Sequence, residues 1–372
     1  MTMEIKYHAG PHLRSNRSTM KIMMQLTLGL LVLYIFSFMR YLEMGGAYIR
    51  QVILIPVVSV GVAVLTEVLW AAFYKKDILS YLKTSFPWVT GLILALALPI
   101  NTRLYVTGVA SFISIFFAKL VFGGFGQNVF NPAAVGRTLI LIGFGGGRLM
   151  DVVASPTPTT VIADNGWLLK ASAFERFLSD FGGLKNMFMG NYFGAIGETS
   201  TILILIIGIV LAALEVFDWM IPAVYLGCIF IGTFIIGSFN GVGLEYALFN
   251  CLTGGVAFGA VFMLTDPITN PNTRSGRVVF AAIAAFVTML IRFRASLPEG
   301  VGYTILLVNI LTPVIEKYFD GKTTDRMHKD LISVIVVLVA AVVGIVLVGL
   351  TLKAGDYSSV MALTDILKGG LL

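Results

Sequence analysis

The stretch from Leu331 to Leu352 carries no charged side chain and is the last of about eleven apolar runs along the sequence. Roughly 20 such residues in a helix cross a hydrocarbon layer about 30 Å thick. No water is available there to bond a free N–H or C=O, so a crossing helix must satisfy its own backbone. Composition agrees: 57% hydrophobic residues, 12% charged and a mean hydropathy of +0.90 exclude an ordinary soluble domain. The sequence therefore predicts an all-α polytopic membrane protein.

Spans are expected at about 22–42, 51–74, 88–99, 104–122, 129–145, 200–216, 219–238, 248–265, 278–293 and 301–316, with an extra C-terminal helix near 331–352. The third is short, and the fifth and eighth are interrupted by glycine. Val89-Thr-Gly followed by Leu98-Pro-Ile-Asn echoes Leu252-Thr-Gly followed by Thr265-Asp-Pro-Ile-Thr. Broken segments at corresponding positions point to two repeats with a site between them. The expected organisation is an N-terminal segment (1–20), a first five-helix repeat (21–145), a connecting segment (146–199), a second five-helix repeat (200–318) and the extra helix with its tail (319–372).

Lys and Arg cluster on alternate connections: Lys6, Arg14, Arg17 and Lys21, then Lys75, Lys76 and Lys83, then Arg274 and Arg277, then Lys317, Lys322, Arg326 and Lys329. The bias predicts a cytoplasmic N-terminus and an extracytoplasmic 146–199 segment. Arg14, Arg17, His8 and His12 stand where a signal peptide would have its apolar core, so none is expected. The net charge of +6 is spread over loops, which reads as topology and not as nucleic-acid binding. Cys228 and Cys251 lie in separate apolar runs without metal-ligand spacing, and no metal site is expected.

Against this apolar background one phrase stands out: Phe122-Gly-Gly-Phe-Gly-Gln-Asn-Val-Phe-Asn-Pro-Ala-Ala-Val-Gly-Arg137. Irregular polar backbone at this depth needs protein or a cavity around it. Amides both donate and accept, so Asn128 and Asn131, with Gln127 and Arg137, suit the edge of a polar ligand. The same amides also suit caps of a broken helix. Asp151-Val-Val-Ala-Ser-Pro-Thr-Pro-Thr-Thr160 reads as a loop. Glu198, Thr199, Ser200 and Thr201 open the next helix, which is either an ordinary N-cap or an anion site. Glu67, Lys119, Asp266, Arg292, Arg294 and Glu316 are ionisable at or near membrane depth, where such residues are candidate functional groups.

Taken together, five motifs in order resemble one family. They are Gly10-Pro-His-Leu-Arg-Ser with Ser18-Thr-Met-Lys-Ile-Met, Gly123-Gly-Phe-Gly-Gln-Asn-Val-Phe-Asn-Pro-Ala, and Gly194-Ala-Ile-Gly-Glu-Thr-Ser-Thr. Phe262-Met-Leu-Thr-Asp-Pro-Ile-Thr-Asn-Pro-Asn-Thr and Leu297-Pro-Glu-Gly-Val complete the set. The chain resembles, over about residues 8–320, the family of the RnfD subunit of the Rnf complex and the NqrB subunit of the sodium-pumping NADH:quinone oxidoreductase. The N-terminus favours the former, and the helix at 331–352 is not part of the usual RnfD chain.

The resemblance implies a subunit of an ion-translocating ferredoxin:NAD⁺ oxidoreductase in the cell membrane, working with other Rnf subunits to move Na⁺ or H⁺. It implies FMN joined through its phosphate to a threonine, and a second, non-covalent flavin, riboflavin in the related pump. The family's attachment pattern, Asp-Gly-x-Ser-Gly-Ala-Thr-Pro, places Asp151, Thr157 and Pro158 at its first, seventh and eighth positions. Ala154-Ser155-Pro156 replaces Ser-Gly-Ala, which leaves Thr159 and Thr160 as fallback attachment points. Gln127, Asn128, Asn131 and Arg137 are assigned to the second flavin, and Glu198, Thr199 and Ser200 to the FMN region. Glu67, Glu198, Asp266 and Glu316 fall at family positions linked to cation uptake. A flavin-free channel or transporter for a small solute is the alternative from another class.

Overall fold

The computed structural model describes residues 18–43, 45–144, 157–190, 194–198, 200–295, 300–319 and 327–357. The first half holds α1 (Thr19–Leu42), α2 (Gly46–Phe73), α3 (Ile78–Ser85), α4 (Pro87–Ala97), α5 (Leu104–Ile115, continued by a π turn, Phe116–Leu120) and α6 (Pro132–Phe144). Three short helices follow: α7 (Pro158–Asp164), α8 (Ala171–Asp180) and α9 (Gly183–Met189). The second half holds α10 (Thr201–Ala213), α11 (Met220–Phe239), α12 (Gly243–Leu252), α13 (Val256–Phe258, continued by a π turn, Gly259–Met263), α14 (Arg274–Arg294) and α15 (Val301–Phe319). Helix α16 (Met327–Leu350) is the last among the described residues.

Five helices, α1, α2, α11, α14 and α16, are long and apolar enough to cross a membrane, or seven if each bent pair counts as one span. The chain is thus a multi-pass all-α membrane protein. Large apolar side chains such as Leu28, Val57, Leu69, Ile209 and Val314 point outward, as expected where the surrounding solvent is lipid.

The two halves repeat one packing scheme. In the first, α2 packs on α4 and α5, and α5 on α6; in the second, α11 packs on α12 and α14, and α14 on α15. Equivalent elements also meet across the halves, α1 against α10 and α6 against α15. Close approach within a half relies on small residues: a Cβ at Gly91 of α4 would lie 2.8 Å from the Val60 Cα of α2.

The third span of each half is broken, bending by 49° between α3 and α4 and by 60° between α12 and α13. The sequence predicted only the second piece of the first pair, residues 88–99. Its first piece, α3, carries Lys83, Tyr81 and Ser85 among its apolar residues and does not read as a span on its own. The break falls at Phe86, held at φ 53°, immediately before Pro87. In the second half it falls at Thr253, Gly254 and Gly255, the glycines at φ +67° and +70°.

A break frees the carbonyls of the preceding turn, and a buried cation answers it in both halves. Lys119, at the end of the fourth span, donates from Nζ to the Ser85 carbonyl and pairs with Glu67 of α2 at 2.8 Å, both side chains fully buried. Arg292, at the end of the fourth span of the second half, donates to the carbonyls of Asn250 (2.9 Å), Thr253 (2.7 Å) and Gly254 (3.1 Å). A cation at a helix C-terminus also meets the negative end of its dipole.

These clamps should dominate stability at the breaks. Arg292→Leu strands three carbonyls at about 1–3 kcal/mol each, so detergent unfolding should shift far more than for Arg292→Lys. Lys119→Met leaves Glu67 as a buried unpaired carboxylate, a loss of about 3–5 kcal/mol, and Glu67→Gln in that background should restore part of it. Equal unfolding temperatures for the single and double variants would show the pair to be uncoupled.

Candidate functional site

Two cavities lie next to the two breaks. The larger, of about 70 Å³, sits where α1, the start of α4, the 122–131 turn and the 262–268 turn converge. Ile22, Met23, Ile93 and Phe262 give it apolar walls, and Thr90, Lys119, Asn128, Asn131, Thr265 and Asp266 supply the polar groups. Apolar walls with a few convergent polar groups are the lining of a small-molecule site.

The 122–131 turn owes its path to its glycines. Gly123, Gly124 and Gly126 all take φ between +89° and +118°, a region closed to most side chains. Gly124 N–H returns to the Lys119 carbonyl at 3.0 Å, closing the end of the π turn. Phe125 then packs edge-on to Phe86 at 5.4 Å and lies under Lys119 Nζ at 5.5 Å. Asn128 Nδ2 donates to the Phe130 carbonyl at 3.1 Å, and Gln127 is exposed.

Asn131 is a hub. Its Nδ2 donates to the Met263 carbonyl at 3.0 Å, its Oδ1 accepts from Ala134 N–H at 3.2 Å, and its own N–H donates to Asn309 Oδ1 at 3.0 Å. It therefore starts α6 and ties it to the π turn of the other half. Asn309, buried on α15, also reaches the Thr269 carbonyl at 3.3 Å. The sequence reading did not single out Asn309, though an amide inside an apolar helix was the available signal.

Asp266 lies in the turn after the second π segment, beyond the spanning helices. Its oxygens accept from Ile268 N–H and the Thr269 hydroxyl, both at 3.3 Å. The carboxyl lines the cavity, and burial raises its pKa to about 6 against those hydrogen bonds and the nearby Lys119 ammonium. Glu67 is further in, behind Lys119, and its second oxygen has no hydrogen-bond partner among the described residues. Glu316 lines neither cavity; at the end of α15 it accepts from Asn272 Nδ2. A wider hollow holding the Asp218–Arg277 pair (2.6 Å) adjoins the large cavity, sharing Val216, Phe217, Thr265 and Pro267 with it.

The smaller cavity, of about 20 Å³, is lined by Arg137, Leu141, Glu198, Gly254, Gly255, Phe258, Met263, Val301 and Gly302. Arg137 thus faces Glu198 across this space and stands apart from Asn128 and Asn131, with which the sequence grouped it. The reason is helical: six residues after Asn131, it projects from a later turn of α6. A Cβ at Gly255 would lie 2.6 Å from Glu198 Oε1, so only glycine allows the carboxylate this close. Ser200 caps α10, accepting from Leu203 N–H at 3.3 Å.

Thr157 caps α7. Its Oγ1 accepts from Thr160 N–H at 3.2 Å and lies 3.0 Å from the hydroxyls of both Thr159 and Thr160. Thr159 is buried with its methyl against Gly254, beside Arg292, whereas Thr157 and Thr160 are part-exposed. The threonine cluster therefore adjoins the second break. Asp151 and Thr199 lie outside the described residues.

The model of the NQR2, RnfD, RnfE family matches residues 6–325. The chain is 34% identical to the D subunit of the proton-translocating ferredoxin:NAD(+) oxidoreductase complex of Clostridium ljungdahlii, over 83% of this chain and 93% of the relative. It is 32% identical to the D subunit of the Na(+)-translocating ferredoxin:NAD(+) oxidoreductase complex of Acetobacterium woodii, over 88% and 96%. The B subunit of the Na(+)-translocating NADH-quinone reductase of Pseudomonas aeruginosa is 31% identical over 74% of this chain and 68% of its own length. The chain belongs to the NQR2, RnfD, RnfE family.

Proposed function

We propose that this protein is a membrane flavoprotein subunit of an ion-translocating ferredoxin:NAD⁺ oxidoreductase, assembled with the other subunits of that complex. On this reading FMN is esterified to Thr157 and a second, non-covalent flavin occupies the large cavity. The bias of Lys and Arg supports a cytoplasmic N-terminus in the cell membrane, with the Thr157 segment on the opposite face. The observation that carries the reading is the pair of cavities at the two breaks, joined by α6 and flanked at one end by the threonine cluster. The relatives named as ferredoxin:NAD(+) oxidoreductase subunits match over 93% and 96% of their lengths, against 68% for the relative from the NADH-quinone reductase, which favours the former.

The residues present fit such groups. The large cavity offers apolar walls for a flat ring and a polar edge at Thr90, Asn128 and Lys119. Asn131 spends its bonds on the protein and holds the wall in place. Thr157 presents a part-exposed hydroxyl at a helix N-terminus, where an attached phosphate would keep an oxygen at the cap. The bound flavins supply electron transfer; the chain positions them and sets the charge around them. Glu67 and Asp266 stand close enough to Lys119 and to the cavity to exchange a cation as that charge changes, and Glu316 marks the surface end of α15.

Three outcomes test this. Thr157→Ala should abolish the yellow fluorescence that survives denaturation, and Thr159→Ala should keep it, with peptide mass spectrometry placing one FMN-phosphoryl group within 151–160. A native complex without covalent flavin returns the chain to the channel class.

Asn128→Leu should lower non-covalent flavin occupancy tenfold or more, for a lost buried hydrogen bond of about 1–3 kcal/mol, while covalent FMN is retained. Full occupancy in that variant would remove the ring from this edge.

Asp266 should titrate near pH 6. Because its folded pKa lies above the unfolded value of 3.8, its stabilising contribution is complete at low pH and is lost as pH rises through about 6. Asp266→Asn should flatten the pH dependence of unfolding in that window and reduce ions moved per electron in vesicles holding the whole complex. Unchanged transport would leave Asp266 as a turn residue.

A further inference from the structure

The family match ends at residue 325, and α16 begins beyond it, at Met327. This helix is built into the bundle. It packs along α11 and α14, and three glycines set the contact. A Cβ at Gly232 would lie 2.6 Å from Ile345, one at Gly344 would lie 2.7 Å from Phe286, and Gly349 is closed by Ile236. Such close approach is how helices associate where lipid supplies no hydrophobic drive.

The chain then turns back onto the segment between the two halves. Gly355 N–H donates to the Leu168 carbonyl at 2.9 Å and Lys170 N–H donates to the Gly355 carbonyl at 3.0 Å, a parallel bridge between Leu169 and Gly355. Lys170 Nζ meets Asp356 at 2.9 Å. The Tyr357 hydroxyl donates to Asp180 Oδ2 at 2.8 Å, and its ring stands edge-on to Phe177 of α8 at 5.6 Å. Phe177 continues into a buried aromatic group with Phe174 and Phe249 of α12.

The bridged residues directly follow Trp167, a non-glycine residue at φ 68°. A side chain in that region costs about 1–2 kcal/mol, so neighbours must hold it. Its ring lies 5.6 Å from the Arg292 guanidinium, and its carbonyl accepts from the Tyr246 hydroxyl at 2.9 Å.

We propose that α16 and its tail through Tyr357 form a brace that fixes the 157–180 segment to the bundle. Through Leu168–Lys170 it holds Trp167 against the Arg292 clamp and keeps the threonine cluster beside the second break. Tyr357 and Gly355 are its positioning residues.

Hydrogen exchange of the full chain in its complex reads the brace directly. Gly355→Pro with Tyr357→Ala should speed amide exchange in α8 tenfold or more and leave α11 and α14 unchanged, and Tyr357→Phe, which keeps the ring contact, should stay near wild type. Unchanged exchange in α8 overturns the proposal. The second measurement stands whether or not that variant accumulates: Lys170→Cys with Asp356→Cys in otherwise intact membranes should form a disulfide under mild oxidation. Failure of those two thiols to pair, with both alkylated freely by a maleimide, overturns it equally.

Discussion

A peptide group without a partner is the quantity this protein cannot tolerate, because lipid offers none. The unbroken helices solve most of the problem internally, apart from the donors missing at Pro56 and Pro313. The two broken spans do not, and their freed carbonyls are met by a Lys in one half and an Arg in the other, each delivered from the last turn of the following span. Everything of chemical interest follows from those breaks. They open the cavities, they bring glycine-rich turns close to carboxylates, and they require the buried charges that give the cavities their polarity.

The halves use the device differently. Lys119 carries its own counter-ion in Glu67, so the first clamp is an ion pair whose second carboxylate oxygen meets no hydrogen-bond donor among the described residues. Arg292 faces three carbonyls and an indole ring. A guanidinium presents a fixed fork of donors and stacks on aromatic faces, whereas an ammonium is a compact point charge. That difference matches the demand: one carbonyl at the Pro87 break, three at the glycine break.

The broad fold was legible because apolar run length decides membrane helices almost alone. Eleven stretches were read, and helices of the described residues occupy each of them in order. What escaped was α3, whose Lys83 and Tyr81 dilute its hydropathy, and the three short helices within 157–190, which follow tertiary packing more than pattern. Of the site, the polar phrase around Asn128 and Asn131 announced itself as out of place in lipid. Its partners did not, since sequence gives no sign that Asn131 would bind the Met263 carbonyl or that Arg137 would turn towards Glu198. Pairing across a pseudo-symmetric bundle is information held only by the folded chain.

Helix α6 has one further consequence. Its first turn walls the larger cavity with Pro132 and Ala133, and its next two turns wall the smaller with Arg137 and Leu141. Asn131 and Arg137 are separated by six residues, about 9 Å along the axis. A septum this thin insulates chemically, keeping the contents of one chamber from touching the other, but it is nearly transparent to an electric field. At an effective dielectric constant near 20, one elementary charge is felt across about 9 Å at close to 2 kcal/mol, more than one pKa unit. Whatever alters the charge of one chamber therefore retunes the other without any helix having to move.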